Sequence, residues 1–487
     1  MGVQGFLPQL KSIQNPVSLN RYSGQTLAID GYAWLHRASC SCAHDLVLGN
    51  PTDKYLQFFI KKLAMLKSYG IKPYFVFDGD SLPVKKDTEV KRRNKRVENR
   101  EVAIRLYNSG EVRNSMDYFQ KCVDVTPEMA KCVMDYCQIH HIDYIVAPFE
   151  ADAQMVYLEK QNIVQGIISE DSDLLIFGCR RLITKLNDFG ECIEICKDDF
   201  NKLPKKFPLH ELSEEGIKTM VCLSGCDYTN GIPRIGLVKA IKLVHQYRNI
   251  DKILLSIRRD GKFQIPETFL QEYHKAVIAF EYQRVFCPIS EKIVTLNDIP
   301  MEVIESMNKT YDNEQFFACI GLVIDKETSK KLCIIDEDKI DHEIHRKIAY
   351  GQLNPYNFEK RLVNRERYLQ IASKSEIVGQ GGILSAKNNS TKSIDLFFTK
   401  VASNKENSSV KRRPIVRSGG IVDKLTETIK KRKLCHSINS ISSLSKSGDS
   451  TLTKSRFFST NADIADTLEE IIDTQSSDTK VPKNFWL

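Results

Sequence analysis

Four short apolar runs in this chain each lead into acid. Residues 25–30 read QTLAID and close on Asp30, and residues 73–78 read PYFVFD and close on Asp78. Residues 142–147, IDYIVA, lead through Pro148 and Phe149 to Glu150 and Asp152, and residues 165–169, QGIIS, lead to Asp171 and Asp173. Asp227, within LSGCDY at 223–228, is a seventh candidate. One acid after a strand is common, because Asp caps the helix that follows. Four such ends are different, since in an open parallel sheet the carboxyl ends of the strands share one crevice. Carboxylates crowded there raise one another's pKa and need counter-charge. A hard cation supplies it, and Mg2+ takes oxygen ligands while keeping several waters. Two such ions ~4 Å apart can activate a water and stabilise the leaving oxygen of phosphodiester hydrolysis. Asp171-Ser172-Asp173 also admits a phosphatase with an Asp-x-Asp nucleophile, but the lysine and Ser/Thr motif of that chemistry has no counterpart here.

Two further patterns bear on phosphate. GIPRIGLVKA at 231–240 sets Gly231 and Gly236 around a Pro turn before an apolar-periodic helix. Glycine lets the backbone approach a ligand, and a helix N-terminus offers free N–H donors to phosphate. The second is basic: residues 85–100 hold eight Lys or Arg and three Asp or Glu. By charge alone this is equally a solvated helix face.

The elements that would position these groups alternate. The four apolar runs read as strands separated by helices, which points to an α/β fold around a parallel sheet. Residues 51–68 place Tyr55, Phe58, Phe59, Leu63 and Leu66 at helical spacing, and Gly70 suits the position just past the helix end. The interval 79–141 is far longer than one crossover helix needs. After about 200 the pattern turns mostly helical. Beyond 351 the chain becomes rich in Ser, Asn, Thr and Lys. Such composition cannot bury enough surface to offset its ordering entropy, so 375–487 reads as disordered, with 351–374 able to pack back on the body.

The whole has 487 residues, 42% hydrophobic and 27% charged, an ordinary globular composition. The net charge of +8 sits in the tail, where 351–487 carry 23 basic and 14 acidic residues. No run of 18 apolar residues suggests a membrane span, and MGVQGFLPQL lacks the plan of a secretory signal. Phe6 stands where a myristoylation signal wants Ser or Thr. The pairs Cys192/Cys196 and Cys222/Cys226 have no adjacent His pair, so the fourteen cysteines read as reduced thiols of an intracellular protein rather than a zinc site.

Taken in order, MGVQGFLPQL, AIDGYAWLH, PTDKY, GIKPYFVFDG, VAPFEADAQMVYLE, IISEDSDLLIFG, LSGCDY and GIPRIGLVKA resemble the motifs of the flap endonuclease and XPG family of five-prime nucleases, over about residues 1–350. YAWLH, GCDY and the tail favour its exonuclease branch over the flap endonucleases, and the short spacing from Asp78 to Glu150 argues against XPG itself. The resemblance implies a PIN-like parallel sheet with helices on both faces, a helical arch insertion, a helix–two-turn–helix DNA-binding region and a disordered C-terminal tail. In residues this is an N-terminal nuclease region at 1–99, an arch and linker at 100–137 beginning near 82, an internal nuclease region at 138–230, a helix–two-turn–helix at 224–258, the rest of the body at 259–374 and the tail at 375–487.

It implies roles as well. Asp30, Asp78, Glu150, Asp152, Asp171, Asp173 and Asp227 match the ligands of two Mg2+ ions, replaceable by Mn2+. Lys85 and Arg92, with Arg96 beyond them, match basic residues of the arch, the first two orienting the scissile phosphate. Tyr32 and His36 match positions that meet unpaired terminal nucleotides, although their spacing suits plain helix packing too. Gly231, Ile232, Gly236 and Lys239 match the duplex grip, with a K+ ion, and Gly2 an N-terminus near the substrate. The implied activity is 5′→3′ double-stranded DNA exonuclease with 5′-flap endonuclease action in mismatch repair, recombination and end resection, by a monomer on DNA with nicks, 5′ ends or 5′ flaps. A non-catalytic junction-binding scaffold and a PIN-type ribonuclease are the alternatives, besides a flap endonuclease or a mitochondrial paralogue. Retention of all seven acids argues against the first, and the 231–240 hairpin against the second.

The tail adds partner motifs. Basic clusters at 411–413 and 430–433 resemble a split nuclear localisation signal, so the nucleus is expected, with the mitochondrion as alternative. TKSIDLFF at 391–398 resembles a sliding-clamp box through Ile394, Phe397 and Phe398, with Thr391 in place of the usual Gln. KSRFF at 454–458, with Ser455, Phe457 and Phe458, resembles a box that binds a MutL homologue. Deleting 454–458 is expected to leave nuclease activity intact and weaken MutL-homologue binding in a pull-down or titration. Equal binding by the deletion and the full chain removes that assignment.

Overall fold

The computed structural model describes residues 2–311 and 316–366. The tail expectations, including the basic clusters, Ile394, Phe397, Phe398, Ser455, Phe457 and Phe458, lie outside the described residues.

A seven-stranded sheet carries the site. Its strands are β1 (Asn15–Ser18), β2 (Thr26–Asp30), β3 (Lys72–Phe77), β4 (Asp143–Val146), β5 (Ile167–Ile168), β6 (Arg181–Thr184) and β7 (Glu191–Cys196). Their spatial order is β1-β7-β6-β5-β2-β3-β4. The five strands from β6 to β4 run parallel, with Ile29 opposite Ile168 and Phe75, and Phe77 opposite Val146. The expected parallel sheet is therefore extended on one side: β7 pairs antiparallel with β6, and β1 antiparallel with β7. Past residue 200 the regular elements of the described residues are helices and two small antiparallel hairpins, Arg284–Cys287 with Lys292–Thr295 and Val323–Ile324 with Lys331–Leu332.

Strand alternation divides the apolar residues between two cores. Ala28, Val76, Ile145, Ile167 and Leu182 face one, with Met155, Leu223, Ala240 and Phe280. Leu27, Ile29, Phe75, Phe77, Val146 and Ile168 face the other, with Leu35, Phe59, Leu63 and Val133. Helices thus cover both faces, as near-continuous apolar strands require. The helix expected at 51–68 spans Lys54–Ser68 and buries Tyr55, Phe59, Leu63 and Leu66. It ends in a paired cap: Gly70 N–H donates to Lys67 O (3.0 Å) and Ile71 N–H to Leu66 O (3.0 Å).

The charged insertion is a helix pair, Lys86–Asn108 and Val112–Cys122, packed side by side. The first buries only Ala103. The pair is seated by rings: Phe119 lies 6.0 Å from Tyr107 and 5.1 Å from His44. The next helix, Pro127–Ile139, belongs to the core through Met129, Ala130, Val133 and Met134. Residues 351–366 pack back on the body: Leu362 is buried and Arg365 donates to Asn50 O (3.0 Å). The described cysteines form no disulfide.

The Val323–Ile324 hairpin rests on a buried imidazole. His345, 6% exposed, accepts the Ile324 N–H at Nε2 (3.1 Å). Burial first, then His342, Arg284 and Lys331, push its pKa down to about 3. The unfolded chain therefore binds a proton near pH 6.5 that the folded chain refuses, and stability is lost as pH falls from 6.5 toward 3. His345→Gln keeps an acceptor but cannot protonate. The stability gap between wild type and this variant should shrink by about 1–3 kcal/mol between pH 7 and pH 4.5 in urea titrations. A gap that stays constant would show that His345 does not titrate in this way.

Candidate active site

Strand order brings the acids together. β5, β2, β3 and β4 are neighbours, and past their carboxyl ends stand Asp171 and Asp173, then Asp30, then Asp78, then Glu150 and Asp152. Local hydrogen bonds fix them. Asp30 caps the Gly31–Ser39 helix by accepting from Ala33 N–H (2.8 Å), and its other oxygen accepts from Ser169 Oγ (3.2 Å). Asp78 accepts from Ala151 N–H (2.8 Å), so β3's acid caps the helix after β4. Gly79 N–H to Phe149 O and Asp80 N–H to Pro148 O (2.9 Å) hold those strand ends side by side. Asp171 accepts from Asp173 N–H (3.0 Å).

Asp30, Asp78, Glu150, Asp152, Asp171 and Asp227 line one cleft of about 570 Å³. Asp173 is set behind them, 4% exposed, and accepts the Val3 N–H (2.8 Å). Gly2 lies against the same turn at φ 84°, where a Cβ would collide with Asp171, Ser172 and Asp173. Any larger residue would push the chain start off the acids. Among the described residues no three His, Cys, Asp or Glu are drawn together tightly enough to hold an ion by themselves.

The electrostatics express that crowding. Burial, then Asp78, pushes Asp30 up to about 7. Burial, offset by the Ala151 N–H and reinforced by Glu150, pushes Asp78 up to about 6. Burial and Asp171 push Asp173 up to about 7, and Asp152 rises for burial, Asp171 and Asp30. The donors are all hard oxygens short of positive charge, which fits Mg2+ or Mn2+ held partly through water.

Lys85 is the cation inside the cluster. Its Nζ pairs with Glu150, lies 3.4 Å from Asp227 Oδ2 and sits 5.0 Å from the centre of the Tyr228 ring. Burial alone would lower its pKa, but Glu150 and Asp227 outweigh it and hold the ammonium charged. Arg92 reaches Asp227 Oδ2 at 2.8 Å, and Arg96 lies 3.4 Å from Asp124. Asp227, despite burial, is held below the usual carboxylate range by Lys85 and Arg92. Tyr32 and His36 both line the cleft, but the Tyr32 ring packs edge-on against Phe77 and is 8% exposed, whereas His36 is open.

Sequence reading passed over the second layer. Tyr228 OH donates to Glu150, and Gln283 Nε2 donates to the same carboxylate (3.0 Å). Tyr228 adjoins Asp227 and could have been suspected; Gln283 and Ser169 carry no signal in spacing.

At the hairpin, Gly225 and Gly231 meet face to face, since a Cβ on Gly231 would fall 2.8 Å from Gly225 Cα. Gly231 N–H donates to Thr229 Oγ1 (3.2 Å) and Ile232 N–H to Leu223 O (3.0 Å), so both amides serve the turn, and the Ile232 side chain is buried. Gly236 caps the Leu237–Tyr247 helix without a side chain. The N–H groups of that first turn are the ones without intrahelical acceptors. Lys239 Nζ lies 3.3 Å from the centre of the Phe263 ring.

A carboxylate with raised pKa stabilises the fold below its unfolded value, and loses that contribution as pH rises through its folded value. For Asp173 the loss falls between pH 4 and about 7. In EDTA, Asp173→Asn should melt roughly 2–4 °C above wild type at pH 8 and level with it near pH 4. It should also gain less from millimolar Mg2+. A variant that melts below wild type at pH 8 would show the Asp173 charge already compensated.

Residues 1–99 match the XPG N-terminal domain and residues 141–227 the XPG I-region. Over 436 residues the chain is 60% identical to Exodeoxyribonuclease 1 of Saccharomyces cerevisiae, covering 89% of this chain and 61% of that protein's length. Over 390 residues it is 54% identical to the DNA damage-inducible protein DIN7 of the same yeast, covering 80% of this chain and 89% of that protein. Among solved structures, the catalytic core of Rad2 in complex with DNA substrate aligns at 20% identity and TM-score 0.44, over 65% of this chain and 98% of that one. Since the relationship to the second yeast protein holds along nearly its whole length, and both family regions fall on the strands that bear the acids, the chain belongs to the flap endonuclease and XPG family, in its exonuclease 1 group.

Proposed function

We propose that this chain is a structure-specific 5′→3′ double-stranded DNA exonuclease with 5′-flap endonuclease activity. The observation that carries this is the acid-lined cleft at four adjacent parallel strand ends, with Lys85 held inside it. Its kinship to Exodeoxyribonuclease 1 supports the polynucleotide substrate. Mg2+, or Mn2+ in its place, would be held by Asp30, Asp78, Glu150, Asp152, Asp171 and Asp227, with Asp173 behind them. When bound, the ions supply an activated water and neutralise the leaving oxygen.

The chain's own residues do the rest. Lys85, shared between Glu150 and Asp227, can turn its ammonium to the scissile phosphate once the acids are otherwise balanced. Arg92 stands about two helical turns further along and can take a second phosphate oxygen. The Leu237–Tyr247 helix offers its first N–H groups to the duplex backbone. The 231–239 turn has main-chain carbonyls and no carboxylate, a donor set suited to K+ rather than a divalent ion. Mismatch repair, recombination and end resection, a MutL homologue, a sliding clamp and a nuclear location, with the mitochondrion as alternative, belong to the same proposal.

Product lengths from 5′-labelled nicked, blunt and flapped duplexes, with Mg2+ and with EDTA, test it. Mono- and short oligonucleotides released from the 5′ end only with Mg2+ are expected. On the same substrates Lys85→Ala should lower the single-turnover rate at least tenfold more than it lowers affinity, because its charge acts on the transition state. Binding without cleavage by wild type would leave a junction-binding scaffold.

A further inference from the structure

The two oxygens of Glu150 are used differently. Oε1 pairs with Lys85 Nζ, and both residues line the cleft. Oε2 is turned to the buried side, where it accepts from Tyr228 OH and from Gln283 Nε2 (3.0 Å). Gln283 Nε2 also donates to the Tyr228 oxygen (3.2 Å), so the three groups close a triangle. A carboxylate oxygen has about two lone-pair sites, and on Oε2 both are taken.

The surroundings hold that triangle in place. The Tyr228 ring lies 4.6 Å from the Phe280 ring, centre to centre. Gln283 follows directly on the Phe269–Tyr282 helix, and its carbonyl accepts the Leu296 N–H (2.9 Å). One turn along the helix that Glu150 begins, Gln154 donates to Phe286 O and accepts the Phe286 N–H (2.7 Å each). Residues 283–286 are thereby clamped to that helix at two points. Gln283 itself is buried, and its Oε1 has no partner among the described residues. A buried acceptor left unpaired is destabilising, and a leucine of similar size would avoid it. Turning the amide over would set that oxygen against the carboxylate. What the amide contributes therefore lies in its N–H groups, and both serve the Glu150–Tyr228 pair.

We infer that Gln283 is a specificity-determining positioning residue: with Tyr228 it restricts Glu150 to one open oxygen and so favours Mg2+ over Ca2+ in the cleft. This rests on the proposed reading that the cleft acids hold Mg2+. Ca2+ takes about six to eight oxygens and accepts both from one carboxylate, whereas Mg2+ wants a strict octahedron and completes it with water. For Glu150 to offer both oxygens, the Tyr228 hydroxyl and one Gln283 N–H must lose their acceptor. That loss falls on Ca2+ alone. Lys85 must yield Oε1 to either cation, so its displacement cancels in the comparison.

The test uses the full chain without DNA, at one pH and ionic strength. It reads the MgCl2 and CaCl2 concentrations that give half of the maximal rise in melting temperature. For Gln283→Leu the Ca2+ midpoint should fall roughly tenfold relative to the Mg2+ midpoint, the size of one hydrogen bond to a charged group. Tyr228→Phe, which keeps the ring on Phe280 and frees the other site on Oε2, should move the ratio the same way. It carries the test if the leucine variant does not fold. Gln154→Leu breaks the adjacent clamp without touching Glu150, so it should lower the melting temperature and leave the ratio at its wild-type value. In a Glu150→Gln background, Gln283→Leu should no longer move the ratio. An unchanged ratio in Gln283→Leu, or in Tyr228→Phe where the leucine variant does not fold, overturns the inference while leaving the metal reading intact. So does an equal shift in Gln154→Leu, or a shift that persists without the Glu150 carboxylate. If neither cation raises the wild-type melting temperature, the metal reading has failed and the inference falls with it.

Discussion

Mutual repulsion among buried carboxylates is the constraint around which the rest of the structure is arranged. Asp30, Asp78 and Asp173 are each pushed far above the usual carboxylate range, chiefly by burial and then by one another or by Glu150 and Asp171. No chain would keep such a cluster for stability, because each ionisation works against the fold. The protein tolerates it by distributing compensation. Main-chain N–H groups of Ala33, Ala151, Asp173 and Val3 each take one oxygen. Lys85 brings a full charge into the middle, and Tyr228 and Gln283 hold Glu150 from behind. What remains uncompensated is the site's capacity to take hard cations.

That arrangement also explains the charged insertion. The Lys86–Asn108 helix has almost no apolar face and buries only Ala103, so packing does not hold its beginning in place. Electrostatics does. Lys85 and Arg92 reach Asp227, and Thr88 Oγ1 donates to Asp227 O (3.2 Å). The start of the arch is thereby tied to the residue that opens the hairpin, and the tie runs through the same oxygens that balance the cluster. A phosphate or cation that competes for those groups acts directly on the polar ties of this helix's first turns. The coupling between site and arch follows from a shortage of apolar contacts.

Much of this was legible in the sequence, and the exceptions have a common cause. The parallel strands showed because both their faces are buried, giving unbroken apolar runs that end in acid. The antiparallel strands β1 and β7 did not: Asn15–Ser18 is four residues including Pro16, and its pairing with Glu191–Cys196 spans about 175 positions of chain. Site residues supplied by a motif were visible, but Ser169, Tyr228 and Gln283 act on the acids by proximity that only folding creates. Gly2 was expected near substrate from its motif, whereas its part as the residue whose missing side chain makes room for Asp171 and Asp173 had no signal in the sequence. Ile232 shows the opposite limit. Its place in the hairpin motif was clear, while the engagement of its N–H with Leu223 depends on the close approach of Gly225 and Gly231.

Three segments far apart in sequence therefore meet on one set of carboxylates. The chain start is held through Val3 on Asp173, the arch through Lys85 on Glu150, and the hairpin through Asp227 on Lys85 and Arg92. A single balancing of charge fixes the relative position of all three. Truncating an acid to alanine releases whichever segment that acid retains. Asp173 and Glu150 should differ in this respect even though both stand at strand ends. Loss of Asp173 frees the first residues of the chain, whose other anchor there is the Ser172 hydroxyl (3.1 Å). Loss of Glu150 leaves Lys85 with Asp227 alone and strands the Tyr228 O–H, while Gln283 Nε2 keeps the Tyr228 oxygen (3.2 Å), and a buried donor without a partner costs about 1–3 kcal/mol. The acids are thus unequal in what they support, and the inequality is set by which neighbours lean on each one.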